Sequence, residues 1–259
     1  MFFSDNIPII ASLSSELEFV DVYFVHDLHY GSELFNQKKW EALKEEILSN
    51  DNAVVCFVGD LLENAIPNSK SDMFTQTAPP ALQKEFVTKQ LIDLAHKTIA
   101  VVPGNHEYNR TTKVSGLYPM YDCCLIAGIG DRYRDTIAFL DLSFGKFKGQ
   151  KKKKIHYFGQ IQHRAKDLKA YHTSDYTDGI DFFVSGHDHE PKDKPRAKLV
   201  FDKYNKVIIK QNVECLNCGS FCEFGGYGAK GAYRPQSDKM YKLRLFSGEK
   251  KMETTGFYV

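Results

Sequence analysis

Residues 20–29 read VDVYFVHDLH, and this stretch decides the fold. Its first part, residues 20–25, is a nearly continuous run of apolar, β-branched and aromatic side chains, which is typical of a strand buried on both faces of a sheet. Polar side chains follow at once, at His26, Asp27 and His29. In an open α/β sheet, ligands bind beyond the carboxyl ends of the strands. The stretch therefore predicts a buried strand that delivers ligand-type side chains to the edge of a sheet.

The same pattern recurs three more times along the chain. Apolar runs at residues 53–58, 98–102 and 180–184 also end in polar clusters. These clusters are Gly59-Asp60, Gly104-Asn105-His106-Glu107 and Gly186-His187-Asp188-His189. Clusters that each follow a strand meet at one edge, although they are far apart in sequence. Their shared position predicts one functional site built from all four.

Within these clusters, the glycines have a backbone role. Gly59, Gly104 and Gly186 directly precede candidate ligands, where a β-carbon would crowd the chain as it turns off the strand. His26 alternates with Asp27, so we expect its side chain to face away from the site and to be structural.

Helical patterns separate the early strands. Residues 35–50 place Trp40, Leu43 and Ile47 three to four positions apart, with Lys and Glu on the other face. Residues 80–97 repeat this pattern. Strand, helix, strand in succession predicts an α/β core.

The pattern changes after about residue 195. Runs at residues 197–202, 206–213 and 240–246 have no helical pattern between them, which predicts antiparallel strands that add a second sheet to the first. An apolar run at residues 136–142 predicts one more strand. We expect a single domain over residues 1–259, with a two-sheet sandwich inside and helices outside.

Composition narrows the choice of partners. The 259 residues are 42% hydrophobic and 26% charged, as in an ordinary globular domain. With 34 basic and 33 acidic residues, nothing in the overall charge favours nucleic acid or an anionic membrane. No apolar stretch is long enough to span a bilayer, and the N-terminus lacks the basic region of a signal peptide. We expect a cytoplasmic protein without a membrane partner.

Six cysteines are present, and without an export signal we expect them to be reduced thiols. Cys215, Cys218 and Cys222 are close enough in sequence to suggest a metal. No fourth ligand is evident beside them, so we predict no structural metal at these thiols.

The residue types in the four clusters indicate what is bound. Carboxylates, imidazoles and an amide oxygen suit divalent ions such as Mn, Fe, Zn, Ni or Co, and we expect Mn first. Six candidate ligands lie in these clusters: Asp27, His29, Asp60, Asn105, His187 and His189. A seventh, His156, is added below because a family resemblance implies one more histidine. Seven ligands are too many for one tetrahedral ion and suit two ions that share a bridging carboxylate, for which Asp60 is the natural choice. Two ions roughly 3.5–4 Å apart can clamp both oxygens of a phosphoryl displacement and generate a bound hydroxide as nucleophile.

In this order, the four motifs resemble those of the calcineurin-like metallophosphoesterase superfamily, over roughly residues 20–190. The resemblance implies a four-layer α/β/β/α sandwich of two mixed sheets flanked by helices, with a dinuclear centre. It implies that Asp27, His29 and His189 hold the first ion, that Asn105 and His187 hold the second, and that Asp60 bridges them. It also implies that His106 orients the phosphate or protonates the leaving oxygen.

More narrowly, the stretches DLHYGS and GDLLEN, which begin at Asp27 and Gly59, resemble the small phosphoesterases of bacteriophages. The Gly-Asp-x-x-Asp-Arg-Gly pattern of the Ser/Thr phosphoprotein phosphatases is absent, because LLENAI follows Asp60. A phosphoprotein-specific enzyme is therefore disfavoured.

The superfamily also has one histidine between its third and fourth motifs, which completes the ligands of the second ion. His156 lies in KKIHYFG, which reads as a strand end followed by Gly159. His163 lies in QIQHRAK, which reads as a loop or helix start, and His172 lies in a polar stretch. We choose His156, with His163 as the first alternative.

The predicted function is hydrolysis of phosphomonoesters or phosphodiesters. Asn105, His106 and Arg110 are the candidates for contact with the substrate, since Arg binds phosphate through a planar fork. One alternative is a nuclease, because the lysine-rich residues 146–154 could attract a polyanion, although a solvated hairpin turn is the commoner explanation. Another alternative is a non-catalytic metal-binding scaffold, in which we would expect ligands to be lost.

Overall fold

The strand of the opening motif forms β2 (Phe19–Val25), the middle strand of a five-stranded sheet. The computed structural model describes residues 5–67, 69, 71–149, 154–163, 177–230 and 234–259. This first sheet has, in spatial order, β12 (Met252–Phe257), β11 (Met240–Phe246), β2, β3 (Ala53–Val58) and β4 (Thr98–Val102). Strands β2, β3 and β4 are parallel, whereas β11 is antiparallel to β2 and β12 to β11. The sheet is therefore mixed.

A second mixed sheet, of seven strands, packs against the first. Six strands run in the order β1 (Ile9–Ser12), β5 (Ile137–Phe144), β6 (Ile155–Gln162), β7 (Phe182–Ser185), β10 (Val207–Asn217) and β8 (Lys192–Asp193), and β9 (Arg196–Asp202) pairs with β10. Strands β6, β7 and β10 are parallel to one another, so β6 and β7 deliver their carboxyl ends to the same edge of this sheet.

Side chains along β2 alternate between two apolar cores, one between the sheets and one under the helices. Val22 and Phe24 belong to the apolar core between the sheets, together with residues of β3 to β6. Tyr23 and Val25 point the other way and belong to a second core under the helices, because successive side chains of a strand face opposite sides. Burial on both faces is why this strand reads as an almost continuous apolar run.

Three helices cover the outer face of the first sheet. They are α1 (Gln37–Ser49), α2 (Pro80–Leu94) and α5 (Pro119–Ile126). Helix α1 begins where the side chain of Asn36 accepts a hydrogen bond from the backbone N–H of Lys39, 2.9 Å away. The predicted α/β arrangement of two mixed sheets with flanking helices is confirmed.

Shorter helical elements complete the described structure. Helix α3 (Asn105–Glu107), a π-helical turn (Tyr108–Thr112) and α4 (Lys113–Ser115) follow one another after β4, and α6 (Gly226–Lys230) lies near the C-terminus. Helices of the described residues are all too short or too polar to span a bilayer.

Two details of the fold differ from the sequence-based expectation. We expected residues 240–246 to join the second sheet with residues 197–213, but β11 pairs with β2 of the first sheet. Strands β1 and β12 lie at sheet edges and were not predicted, because the first is only four residues long and the second, METTGF, is largely polar.

Candidate metal centre

Ligand-type side chains from both sheets meet beyond the carboxyl ends of five strands. Asp27 and His29 follow β2, Asp60 follows β3, Asn105 and His106 follow β4, His163 follows β6, and His187 and His189 follow β7. Three groups of these side chains place one potential ligand atom from each member within 4.8 Å of the others: His29, Asp60 and His106; Asp60, His163 and His187; and His29, His189 and Cys222. The convergence expected of the four motifs is therefore present.

Asp60 is at the centre of this cluster. Its Oδ1 accepts a hydrogen bond from the backbone N–H of His106 at 2.8 Å. Its Oδ2 lies 3.1 Å from Nε2 of His163, 3.7 Å from Nε2 of His106 and 4.0 Å from Nε2 of His29. One carboxylate oxygen thus faces imidazoles that come from both sheets, which is the arrangement a bridging ligand requires.

Asp27 has one oxygen fixed and one free. Its Oδ2 lies 2.7 Å from Nδ1 of His26 and accepts a hydrogen bond from the backbone N–H of His187, also at 2.7 Å. Its Oδ1 lies 3.4 Å from Nε2 of His189 and 3.6 Å from Nε2 of His29. The two fixed contacts aim Oδ1 at the cluster.

His26 itself is structural, as expected. Its Nε2 accepts a hydrogen bond from the backbone N–H of Cys218 at 3.0 Å. That contact leaves Nδ1 to donate to Asp27, so His26 holds the carboxylate in place without facing the cluster.

Two imidazoles are anchored through Nδ1 and present Nε2 to the cluster. Nδ1 of His29 lies 3.1 Å from Oε2 of Glu63, and Nδ1 of His163 donates to the carbonyl oxygen of Val58 at 2.7 Å. Metal-bound histidines are held in this way, with the second ring nitrogen donating to a carboxylate or a backbone carbonyl. The contacts therefore suit both rings to ligand roles.

The structure corrects the choice of the middle histidine. His156 is the second residue of β6, its side chain is about half exposed, and its Nδ1 lies 2.7 Å from Asp141. His163 follows the last residue of β6, about 23 Å further along at the usual rise of a strand. It is buried against Asp60, whereas His156 lies outside the cluster. The third candidate, His172, lies outside the described residues.

Three buried atoms of the cluster lack a hydrogen-bond partner. Among the described residues, four buried side-chain nitrogen or oxygen atoms have none: Asp27 Oδ1, Asn105 Oδ1, His163 Nε2 and Gln160 Oε1. Nε2 of His163 is close to Asp60 but lacks hydrogen-bond geometry. Since buried polar atoms are nearly always paired, three unpaired atoms on candidate ligands fit a site for metal ions.

The glycines act as expected. A β-carbon on Gly104 would lie 2.1 Å from Oδ1 of Asp60, and one on Gly186 would lie 2.8 Å from Nδ1 of His163. Gly59 is restricted in two ways. Its φ is +82°, and a β-carbon on it would lie 2.6 Å from the His163 ring. These positions accept only glycine because the backbone passes directly beside the ligands.

The backbone of the site is itself unusual. Five candidate ligands have a left-handed φ: Asp27 (51°), His29 (49°), Asp60 (51°), His187 (80°) and His189 (54°). Such a conformation costs about 1–3 kcal/mol per non-glycine residue and is typical of functional sites. No sequence pattern predicted this feature.

His106 and Arg110 line one side of the cluster. Nδ1 of His106 donates to the backbone carbonyl of Glu63 at 2.8 Å, and Arg110 donates to Nε2 of His106 at 3.0 Å. These contacts assign a neutral imidazole, and burial lowers the pKa of His106 to about 4. The Arg110 guanidinium also contacts the Glu63 carboxylate at 3.2 Å and Ser71 Oγ at 3.0 Å. It is thus held beside the cluster.

The carboxylates of the cluster are ionised at neutral pH. Burial alone raises the pKa of Asp60, but the electrostatic interactions with the surrounding imidazoles, among them the charge and close contact of His163, outweigh it and hold this pKa below the usual range. His189 and His163 do the same for the buried Asp27, whose pKa is also lowered. Burial lowers the pKa of His163, yet Asp60 and Asp27 raise it to about 9. The cluster therefore attracts cations, whether protons or metal ions.

Two glutamates that the sequence analysis had not singled out support the site. Glu63 contacts both His29 and Arg110. Glu107 accepts hydrogen bonds from the backbone N–H groups of Gly104 at 2.7 Å and Asp60 at 3.1 Å. Glu63 could have been predicted from the sequence. It lies three residues after Asp60, where a carboxylate can orient a ligand histidine.

The lysine-rich residues 146–154 have local partners. Lys146 pairs with Glu16 at 2.6 Å, and Lys154 donates to Ser12 Oγ at 2.7 Å. Part of this run lies outside the described residues.

Two mixed sheets flanked by helices carry a buried histidine–carboxylate cluster at their common edge, and this arrangement matches a known family. The family model of the calcineurin-like phosphoesterases matches residues 21–191, which is more than half of the chain. The protein belongs to this family. None of the curated proteins compared with the chain matches it. Among solved structures, Vps29 of Chaetomium thermophilum is similar over 93% of this chain and 99% of that chain, with 8% identity and a TM-score of 0.38. A likeness this distant carries no functional information.

Proposed function

We propose that this protein hydrolyses phosphate esters at a centre of two divalent ions. The main supporting observation is that Asp27, Asn105 and His163, which follow strands at the same edge, each have a buried atom without a hydrogen-bond partner among the described residues. Leaving a buried polar atom without a partner costs about 1–3 kcal/mol. A fold that keeps three such atoms together is best explained by ligands that satisfy them when the protein works.

The donors divide into two sets that share Asp60. Asp27, His29 and His189 would hold one ion, and Asn105, His163 and His187 the other. His163 takes the role that the sequence had suggested for His156. Oxygen and imidazole donors suit Mn, Fe, Zn, Ni or Co, and Mn remains our first expectation.

Bound ions supply Lewis acidity and lower the pKa of a water molecule, which is the chemistry that phosphate-ester hydrolysis needs. The chain supplies orientation. His106 and Arg110 contact each other, and Nε2 of His106 lies 3.7 Å from the central oxygen of Asp60. We assign Arg110, with Asn105, to binding the phosphate group, and His106 to orienting the Arg110 guanidinium, because the only N–H of its neutral ring already donates to Glu63. A planar guanidinium suits phosphate oxygens, and Glu63 and Ser71 hold it in place.

The test uses metal-stripped protein refilled with one divalent ion at a time. We expect hydrolysis of p-nitrophenyl phosphate or its bis-ester with at least one ion, and Mn first. The Asp60→Asn variant should lose this activity, since its amide can no longer serve both ions. Inactivity with every ion, or an unchanged rate in Asp60→Asn, would overturn the proposal.

The same assay separates the alternatives. Single-stranded and duplex DNA in the substrate panel test for a nuclease, whose binding should weaken steeply with added salt. Ion binding without turnover of any ester would favour a metal-binding scaffold.

A further inference from the structure

Cys222 reaches the metal centre from a segment that lies far from the ligand motifs in sequence. The backbone N–H of Phe221 donates to the carbonyl of Asp27 at 3.1 Å, and the backbone of Cys222 forms an isolated antiparallel β-bridge with Phe35. These backbone contacts fasten the segment beside the loop that carries His29. The Cys222 sulfur lies within 4.8 Å of ligand atoms of His29 and His189.

The three cysteines of the CLNCGSFC stretch are close in sequence but have different surroundings in the structure. Cys218 belongs to the core between the sheets, and Cys215 belongs to a small cluster with Ile180 and Phe183. Cys222 alone among the six is not fully buried. The absence of a fourth ligand beside these thiols argued against a structural metal, and the structure supplies imidazoles to Cys222 from elsewhere in the chain.

We propose that Cys222 is a thiolate ligand of the ion held by Asp27, His29 and His189. This inference rests on the proposed function and specifies the metal preference of one of its two positions. On binding, a sulfur–metal bond forms and the thiol proton passes to solvent, because the thiolate is the ligand form of cysteine.

A second observation points to a ligand at the same place. Oδ1 of Asp27 is fully buried and has no hydrogen-bond partner among the described residues. It lies 3.4 Å from Nε2 of His189 and 3.6 Å from Nε2 of His29, the two imidazoles that face Cys222. Those two nitrogens are themselves 3.1 Å apart. Three donors thus lie within 3.6 Å of one another, and the Cys222 sulfur lies within 4.8 Å of the two imidazole donors. An ion among them would satisfy the unpaired oxygen of Asp27.

The sulfur changes which ion is preferred. Thiolate ligands favour Zn and other thiophilic ions, whereas oxygen donors suit Mn and Mg. The other position, with Asp60, Asn105, His163 and His187, has no sulfur donor among the described residues. The two positions should consequently differ, with a thiophilic ion at the one beside Cys222.

Cobalt(II) is the probe, because it reports its ligands in its absorption spectrum. Metal-stripped full-length protein is titrated with Co(II), and we expect a near-ultraviolet thiolate-to-cobalt charge-transfer band that saturates at one equivalent. Cys222→Ser should lose this band, keep the visible d–d bands and bind Co(II) at least about tenfold more weakly. Cys218→Ala is the matched control from the same segment and should keep the band.

A second measurement needs no variant. Iodoacetamide labelling followed by mass spectrometry is carried out at an alkaline pH at which Cys222 of the metal-free native protein is modified, and Co(II) or Zn should slow this reaction at least about tenfold. Equal labelling rates with and without the ion would overturn the proposal. So would visible cobalt bands without the charge-transfer band, and that result would leave the proposed function standing. No Co(II) binding at all would overturn both.

Discussion

Strand β2 carries a buried carboxylate at each end, and the two have opposite surroundings. Asp21, near the start, accepts hydrogen bonds from Arg244 at 2.7 and 2.9 Å and from Asn50 at 3.1 Å, with Lys242 at 3.7 Å. Both of its oxygens are paired within the chain. Asp27, just past the end, has one paired oxygen and one with no hydrogen-bond partner in the described part of the chain. Both side chains are at most 1% exposed, so burial does not distinguish them.

The difference separates a carboxylate that stabilises the fold from one that waits for a ligand. A buried ion pair with its hydrogen bonds complete needs nothing further. An unpaired oxygen, in a cluster where five candidate ligands have left-handed backbone, makes the same fold less stable than it could be. Variants at the two ends should therefore have different effects, in activity and metal response at one end and in stability alone at the other.

The largest expected effect comes from His163, which directly follows β6, and His156 of the same strand serves for comparison. His163→Ala should lower the rate of ester hydrolysis by more than about 100-fold, since loss of a mere hydrogen-bond partner of a ligand already costs 10–100-fold. His156→Ala should leave the rate unchanged, because its side chain is half exposed and contacts Asp141 and Phe158 rather than the cluster. The measurement is the initial rate at saturating metal.

His156→Ala is the matched control for His163→Ala, since both remove an imidazole from the same strand and its end. Circular dichroism establishes that both variants fold. A large loss in His156→Ala together with full activity in His163→Ala would reverse our assignment of the middle histidine.

The choice between these two residues is also the point at which the sequence did not predict the site. The ligands after β2, β3, β4 and β7 were predictable, because each follows an apolar run directly. His163 obeys the same rule, but Gly159 was read as the end of its strand. The structure keeps Gly159 inside β6, where a β-carbon would lie 2.1 Å from the Phe182 ring. The glycine serves close packing there, and the sequence does not distinguish that use from a turn.

Much of the fold was predictable for a related reason. Burial on both faces gives β2, β3 and β4 continuous apolar runs, and their bounds were predicted within a residue. Which sheet a strand joins is not written in its own composition, so β11 was misplaced. The pairing that places it, Arg244 opposite Asp21, is a cross-strand contact of opposite charges separated by more than 200 residues.

The next largest effect is stabilisation by metal. At free metal one hundred times the dissociation constant, binding to the folded state adds about 2.7 kcal/mol. For a chain of this length, that should raise the melting temperature by roughly 5–10 °C. Differential scanning fluorimetry with chelator and with added Mn measures the shift. In Asp60→Asn the shift should shrink markedly, and an equal shift in that variant would contradict the bridging role of Asp60.

At the other end of β2, Arg244→Ala should act on stability alone. It removes two hydrogen bonds from a buried carboxylate, which costs about 2 kcal/mol in the free energy of unfolding. Urea unfolding of the metal-free protein measures this loss. The rate of ester hydrolysis and the stabilisation by Mn should both stay at their original values. A variant that lost metal response would show that the two ends of the strand are coupled.

The smallest effect is the pH dependence of Asp21. Burial raises the pKa of this carboxyl, but hydrogen bonds from Arg244 and the charge of Lys242 outweigh it and leave the pKa below the ordinary value of 3.8. The unfolded chain therefore binds a proton more readily than the folded one, so stability is lost as pH falls. The contribution is complete above the ordinary pKa and disappears as pH falls through the lowered one.

The free energy of unfolding of the original protein should exceed that of Asp21→Asn by about 1 kcal/mol near neutral pH. This difference should stay constant down to about pH 5 and shrink toward about pH 3, as measured by urea unfolding without metal. A difference that grew on acidification would mean that the folded state raises the pKa of Asp21, and it would contradict the stabilising role assigned to Arg244 and Lys242.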